Sequence, residues 1–158
     1  MRAHMKDELK RLNQQHGGGP CLLTLTTAEG EFTANLETID QLACTFTKLQ
    51  LQADRIAAAS IDELEAIAAD LSSRLTYLLE SISPVEIDTD RCIVQMRSDP
   101  PEQNDQGTFY YELVVRQGAI ELCRYQKSPG DVRKTVPATV TGEVLERLAE
   151  DLVAAIAP

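Results

Sequence analysis

The sequence predicts an α+β fold, with a single antiparallel sheet of about six strands packed against two amphipathic helices and a short N-terminal helix. Two well-specified hairpins and two segments with apolar residues at helical spacing support this prediction. The expected element order is α-βββ-α-βββ(β)-α. A length of 158 residues favours one domain with a core of its own.

The N-terminal helix is predicted over residues 1–16, where Met5, Leu9 and Leu12 recur at helical spacing. Residues 17–20, Gly-Gly-Gly-Pro, are predicted to end this helix and to form a glycine-rich hinge. The first of these glycines is expected to take the left-handed conformation that closes many helices.

The first hairpin is predicted to turn at Glu29-Gly30. In that register Leu25 pairs with Ala34, so that apolar residues occupy one face and polar residues the other. A third strand is predicted over about 41–53. The parity of its apolar residues changes midway, which predicts a bulge or a passage from one core to another.

The central helix carries the most specific signal in the chain. Ser60 and Glu63 form a capping box, and Pro84 follows the predicted end of the helix. The apolar stripe of this helix comprises Ile61, Leu64, Ile67, Leu71, Leu75, Leu78 and Ile82.

The second half of the chain resembles the first in plan. Residues 85–97 predict strand structure interrupted near Asp88, and residues 98–107 predict a polar loop. A hairpin around Gln117-Gly118 then pairs Val115 with Ile120.

A short edge strand is predicted over 132–138, because Pro137 suits only an edge or an end of a strand. The last helix is predicted over about 141–157, with Leu145, Leu148, Leu152 and Ile156 at helical spacing. The likeness of the two long helices is consistent with an internal duplication, with pseudo-repeats at 21–83 and 84–158, but two unrelated amphipathic helices often look equally similar.

Composition excludes several classes of function. The net charge of −10 opposes binding to nucleic acid and to anionic membranes. The four cysteines lie far apart in the sequence and there are only two histidines, which argues against a metal site. No cofactor is predicted. No signal peptide or membrane-spanning run is apparent, so a cytoplasmic protein with reduced thiols is expected.

The stretch Gln-Gln-His-Gly-Gly-Gly-Pro at 14–20 is similar to the start of the oxyanion-hole loop in lipases and esterases. Such an enzyme also needs G-x-S-x-G and a later histidine, and this chain has neither after His16. We therefore interpret the stretch as a helix end.

One local surplus of positive charge occurs in this acidic chain, and it is the candidate binding site. Arg124, Lys127, Arg133 and Lys134 could bind an anionic ligand or an acidic segment of a partner, with Tyr111 beside Arg124 as a cation–π partner. The alternative is a solvent-facing hairpin end that balances an acidic surface.

The uncharged C-terminal stretch Leu-Val-Ala-Ala-Ile-Ala-Pro is expected to be covered by the chain's own sheet or by a second chain, which would give a homo-oligomer through the C-terminal helix. The element order, small size and acidity are similar in plan to type III secretion chaperones, which are small homodimers that hold extended effector segments. The extra strand near 132–138 departs from that plan.

The absence of a catalytic motif predicts a non-enzymatic protein-interaction module, chaperone- or adaptor-like and homodimeric, with a protein partner. A small-molecule protein that binds an anionic ligand through 124–134 is the first alternative. An enzyme of a type that the motifs do not reveal is the second.

Overall fold

The computed structural model describes residues 2–158, which form three α-helices, one 3-10 turn and one antiparallel sheet. The helices are α1 (Arg2–His16), α2 (Ile61–Arg74) and α3 (Gly142–Ile156), and the 3-10 turn is Asp54–Ile56. The strands are β1 (Cys21–Thr26), β2 (Glu31–Ile39), β3 (Ala43–Gln52), β4 (Ile82–Asp88), β5 (Ile93–Ser98), β6 (Glu102–Asn104), β7 (Gly107–Arg116), β8 (Ala119–Lys127), β9 (Lys134–Val136) and β10 (Ala138–Thr141).

The prediction of about six strands and two main helices is wrong, because the described residues form ten strands and three helices that share one core. The second half accounts for the whole difference in strand number, because the first half has its predicted three strands. Strands β6 and β9 are mostly exposed and lack apolar alternation, so only their pairing with longer neighbours defines them. Pro137 divides the last strand region into β9 and β10, since proline has no N–H to donate to a ladder.

The central helix begins as predicted and ends earlier than predicted. The Ser60 side chain accepts from the Glu63 N–H and the Glu63 carboxylate accepts from the Ser60 N–H, which confirms the capping box. The helix stops at Arg74, whereas its apolar stripe continues to Ile82. Ile82 instead opens β4, where it pairs with Ser98 and accepts a hydrogen bond from the Ser72 hydroxyl at 2.6 Å.

The first hairpin has the predicted faces in a different register. Leu25 pairs with Phe32 rather than with Ala34, because the loop has four residues instead of two. The Thr27 N–H donates to the Gly30 carbonyl at 2.8 Å, and the Thr27 hydroxyl accepts from the Gly30 N–H at 3.2 Å. A shift of two residues leaves every side chain on its predicted face.

The second hairpin confirms its predicted register, with Val115 opposite Ile120 and Tyr111 opposite Arg124. The parity change in β3 is also explained by the predicted bulge. The β2–β3 ladder is irregular on both sides of the Leu36–Phe46 pair, so apolar residues of either parity reach the same core.

The sheet splits where β8 separates from β3. Its main strand order is β1-β2-β3-β8-β7-β5-β4. Strand β8 pairs with β3 only over 119–122, and β9 replaces β3 as its neighbour over 124–126. Strand β10 then pairs with the start of β3 at 43–46. Strands β9 and β10 therefore fill a wedge between β3 and β8, with Pro137 at the bend.

The helices cover one face of the sheet and leave the other, here called the outer face, uncovered. Met5 and Leu12 of α1 belong to the core, and Gly17 closes α1 with a φ of 60° as predicted. Helix α2 contacts β4, β5 and β7, whereas α3 contacts β3 and β10. Helix α2 thus covers strands of the second half, whereas α3 contacts one strand from each half, and the duplication itself stays a prediction.

Within residues 2–158, none of the helices combines the length and the apolar character needed to cross a lipid bilayer.

Candidate functional site

A cleft of about 940 Å³ opens on the helical side of the sheet, where β8 and β3 part. We call it the wedge cleft. Its walls are the segment after α2, the loop before β6, parts of β7 and β8, the strands of the wedge, and the start of α3. The lining residues are Tyr77, Leu78, Leu79, Glu80, Pro100, Pro101, Glu102, Asn104, Phe109, Tyr111, Arg124, Val136, Pro137, Ala138, Thr139, Val140, Thr141 and Val144.

Most of this lining is apolar or aromatic, and its charge is concentrated in one group of three side chains. Arg124 donates to Glu80 Oε2 at 2.7 Å and to Glu102 Oε2 at 2.8 Å. Its guanidinium carbon lies 4.5 Å from the ring centroid of Tyr111. Side chains of Arg124 and Glu80 are 11% and 12% exposed, so this ion pair is largely removed from solvent.

Two carboxylates oppose one guanidinium in this group, and the described lining residues include no other charged side chain. The wedge cleft therefore carries a net charge of about −1, from the three formal charges at neutral pH. Glu80 Oε1 is shielded from solvent and accepts no hydrogen bond. A shielded carboxylate oxygen without a donor is unfavourable, because folding has removed its water and supplied no replacement.

Burial raises the pKa of Tyr111, and the charge of Arg124 opposes that shift only in part. Tyr111 therefore remains a neutral phenol in the physiological range. It serves as an aromatic surface under Arg124 and not as an anion.

One wall of the cleft is an irregular segment that follows α2. Tyr77 anchors its start, because the Tyr77 hydroxyl donates to Asp151 Oδ2 at 2.8 Å on α3 and Arg147 lies 4.2 Å over the ring. Among the described residues, the main chain from Tyr77 to Glu80 makes no backbone–backbone hydrogen bond. The segment 77–80 is consequently held in place by the elements at its two ends and by side-chain contacts.

Leu79 is the most unusual residue of that wall. It has a φ of 65°, in the left-handed region that leucine rarely adopts, and its side chain is 98% exposed. Its neighbour Leu78 is buried. A strained backbone that holds an apolar side chain in solvent, at the edge of an apolar cleft, offers area that a ligand would cover.

The opposite wall contains free strand edges. Within residues 2–158, β9 pairs only with β8 and β10 pairs only with β3. Each of these two strands therefore has one edge that pairs with no other strand of the described chain. Residues 136–141, which span this bend, all line the cleft.

The structure distributes the five predicted binding residues over different surfaces. Tyr111 and Arg124 are brought together in the wedge cleft. Arg133 lies on the outer face of the sheet, over the ring of Tyr125. Lys127 donates to the main-chain carbonyls of Ser128 and Asp131 at the hairpin end, and Lys134 is exposed on β9.

Arg133 belongs to a separate cluster on the outer face. It donates to the Glu112 carboxylate, which also accepts from Arg97 at 3.2 Å. Tyr110 and Tyr125 stack beside these arginines with ring centroids 5.9 Å apart. Burial raises the pKa of Glu112, but hydrogen bonds from Arg133 and Gln95 and the charges of Arg133 and Arg97 outweigh burial, so this pKa lies below its ordinary value.

Sequence reasoning missed Leu79, Glu80 and Glu102. The apolar stripe places the first two at the end of the predicted central helix, and Glu102 falls in the predicted polar loop. No local pattern marks them, since Glu80 and Glu102 meet Arg124 only after the fold brings segments 44 and 22 residues apart to one place.

The described lining residues of the wedge cleft include no histidine, cysteine, serine or lysine. Within the part of the chain that the structure describes, no three His, Cys, Asp or Glu side chains are grouped to hold a metal ion. His16 lies exposed at the end of α1, away from this lining. The cleft is therefore equipped for binding through apolar contact, backbone hydrogen bonds and one ion-pair group.

Comparison of the chain with protein-family models, with curated proteins and with solved structures finds no match.

Proposed function

We propose that this chain is a protein-interaction module that binds an extended segment of a partner protein in the wedge cleft. The observation that carries the proposal is the pairing of an apolar cleft with unpaired edges of β9 and β10 along one of its walls. An extended segment can add to such an edge through main-chain hydrogen bonds while its side chains fill the apolar surface.

The shape and chemistry of the cleft support a peptide over a compact metabolite. The cleft is wide and open. It is bordered by 77–80, which makes no backbone–backbone hydrogen bond among the described residues, and by 136–141, whose two strands each pair on one edge only. An extended peptide presents donors and acceptors at the spacing of a strand edge, whereas a small molecule satisfies only a few of them.

The lining also supports binding without catalysis. General acid–base chemistry needs a group whose pKa lies near the working pH, and the cleft's tyrosines do not supply one. Tyr77 has its pKa raised by burial and by its hydrogen bond to Asp151, as burial raises that of Tyr111.

The proposal is tested with phage-displayed random dodecapeptides selected against the full chain. Binding of the enriched peptides is then measured by fluorescence polarisation. Leu79→Asn should weaken binding about tenfold, because the loss of one buried leucine side chain costs about 1.5–3 kcal/mol. Removal of this side chain should leave the fold intact, since it makes almost no contact with the rest of the chain.

Leu42→Asn is the matched control. Leu42 is 82% exposed in the turn between β2 and β3 and does not line the wedge cleft. This variant should bind the selected peptides as the wild type does. Failure to enrich any peptide, or equal effects of the two substitutions, would exclude the wedge cleft as a peptide site.

A homodimer through α3 stays a prediction that sedimentation equilibrium checks. Leu145, Leu148, Leu152 and Ile156 are buried within this chain. A dimer contact would therefore use the opposite side of α3, where Glu143 and Arg147 are exposed.

A further inference from the structure

Resting on the proposed function, we infer that the wedge cleft selects a segment that carries a lysine or arginine side chain, which binds beside the Glu80 carboxylate. The ligand would thus combine apolar side chains with one cation. The ligand inferred here is opposite in charge to the anionic ligand that the sequence predicts for Arg124.

The first argument is the charge of the cleft. Arg124 already binds two carboxylates, at 2.7 and 2.8 Å, so its positive charge is more than balanced. An anion entering the cleft would meet Glu80 and Glu102 as well as Arg124, and it would have to displace one of them. A cation meets an excess of negative charge next to Glu80, which is largely removed from solvent, where such complementarity counts most.

The second argument is the hydrogen-bonding capacity of Glu80. A carboxylate offers about four acceptor positions, and Arg124 occupies Oε2. Oε1 is shielded from solvent without any donor. Since the main chain from Tyr77 to Glu80 has no backbone–backbone hydrogen bond among the described residues, a small shift of this wall would open Oε1 to a donor in the cleft.

The third argument is the charge of the whole chain. A net charge of −10 creates a field that attracts basic segments and repels acidic ones. Glu102 is 56% exposed at the mouth of the cleft, so it is placed to meet an approaching cation before Glu80 does. Long-range attraction and the local charge of the cleft therefore favour the same ligand.

The inference is tested with the peptides enriched against the wild-type chain. In each synthetic peptide the basic residue is replaced by a neutral residue of similar shape, norleucine for lysine or citrulline for arginine. The replacement should weaken binding to the wild type about tenfold or more, which is typical for loss of a desolvated charge pair. Against Glu80→Gln, both peptides should bind within about twofold of each other, because the coupled carboxylate is absent.

Glu121→Gln is the matched control, since Glu121 pairs with Arg116 and Lys48 on the outer face. It should keep the full tenfold discrimination. Thermal unfolding reports whether Glu80→Gln folds. If it does not, Glu102→Gln decides, because that carboxylate is largely exposed and its loss should reduce the discrimination without unfolding the chain.

The outcomes separate the inference from the proposed function. Peptides that need Leu79 but lack a basic residue, or discrimination that survives both cleft substitutions, would overturn the inference and leave the proposed function standing. If no peptide depends on the wedge cleft, both are overturned.

Discussion

The carboxylate of Glu112 is held between two arginines on the outer face of the sheet, and it shows how a single residue couples stability to pH. Its pKa in the folded chain lies below the ordinary value of 4.5. Its ionised form is therefore favoured by folding. This contribution to stability is complete above the ordinary pKa and is lost as the pH falls through the lower folded value.

We expect Glu112→Gln to lower the free energy of unfolding by about 1–2 kcal/mol at pH 7. The loss is smaller than for a fully buried ion pair, because water can solvate Arg133 and Arg97 once the carboxylate is gone. The difference from the wild type should shrink below pH 4.5. Urea unfolding from pH 3 to pH 7 measures it. Glu121→Gln, on a more exposed carboxylate, should lower the free energy of unfolding by less. A loss of stability in Glu112→Gln that is the same at every pH would contradict a role for the ionised Glu112 carboxylate.

Leu79 illustrates a residue whose conformation is unfavourable for the isolated chain. Leu79→Asn should raise the free energy of unfolding by about 0.5–1 kcal/mol, because asparagine tolerates positive φ and no buried area is lost. The same variant is expected to bind peptide more weakly. Thermal unfolding of Leu79→Asn and Leu42→Asn checks the stability effect. A loss of stability in Leu79→Asn alone would show that Leu79 supports the fold rather than a ligand.

At the scale of elements, the loop of the first hairpin shows why a strong local signal can give a wrong register. Gly30 suits the second position of a two-residue turn, yet Thr27 closes a four-residue loop with its own hydroxyl. Gly30 is required because its main chain packs closely against the end of β3. A Cβ at this position would lie 2.2 Å from the carbonyl oxygen of Gln52.

We expect Gly30→Ala to destabilise the chain by about 1–3 kcal/mol, the range for overpacking against atoms that cannot move freely. In Gly19→Ala the new Cβ would lie 3.4 Å from the His16 carbonyl oxygen, an ordinary contact. That variant should change stability by less than about 0.5 kcal/mol. Comparison of the two midpoints in urea tests the close approach, and similar midpoints would argue against it.

At the scale of the whole molecule, helix contacts between the two halves make each half depend on the other. Helix α2 follows the first three strands but contacts β4, β5 and β7, and α3 contacts β3 and β10. Buried residues of all three helices and both halves of the sheet form one cluster. Neither half has a complete core without the other.

Unfolding should therefore be a single transition. All four tyrosines lie at or after residue 77, whereas Phe32 is buried in β2. Phe32→Ala should lower the free energy of unfolding by about 3–5 kcal/mol and shift the tyrosine fluorescence and far-UV circular dichroism midpoints together. Leu22→Ala, on an exposed side chain of β1, should shift neither, and separated midpoints for Phe32→Ala would indicate independent halves.

The sequence by itself determined the α+β character, the faces of the strands, the capping box at Ser60 and the register of the second hairpin. These features depend on side-chain periodicity and on turn chemistry within a few residues. Only the tertiary structure decided the end of α2, the splitting of the sheet and the wedge cleft. Ile82 lies in a strand instead of a helix because it pairs with Ser98. Arg124 contacts Glu80 and Glu102 because distant segments of the chain converge there. Such choices depend on long-range partners, which no local pattern specifies.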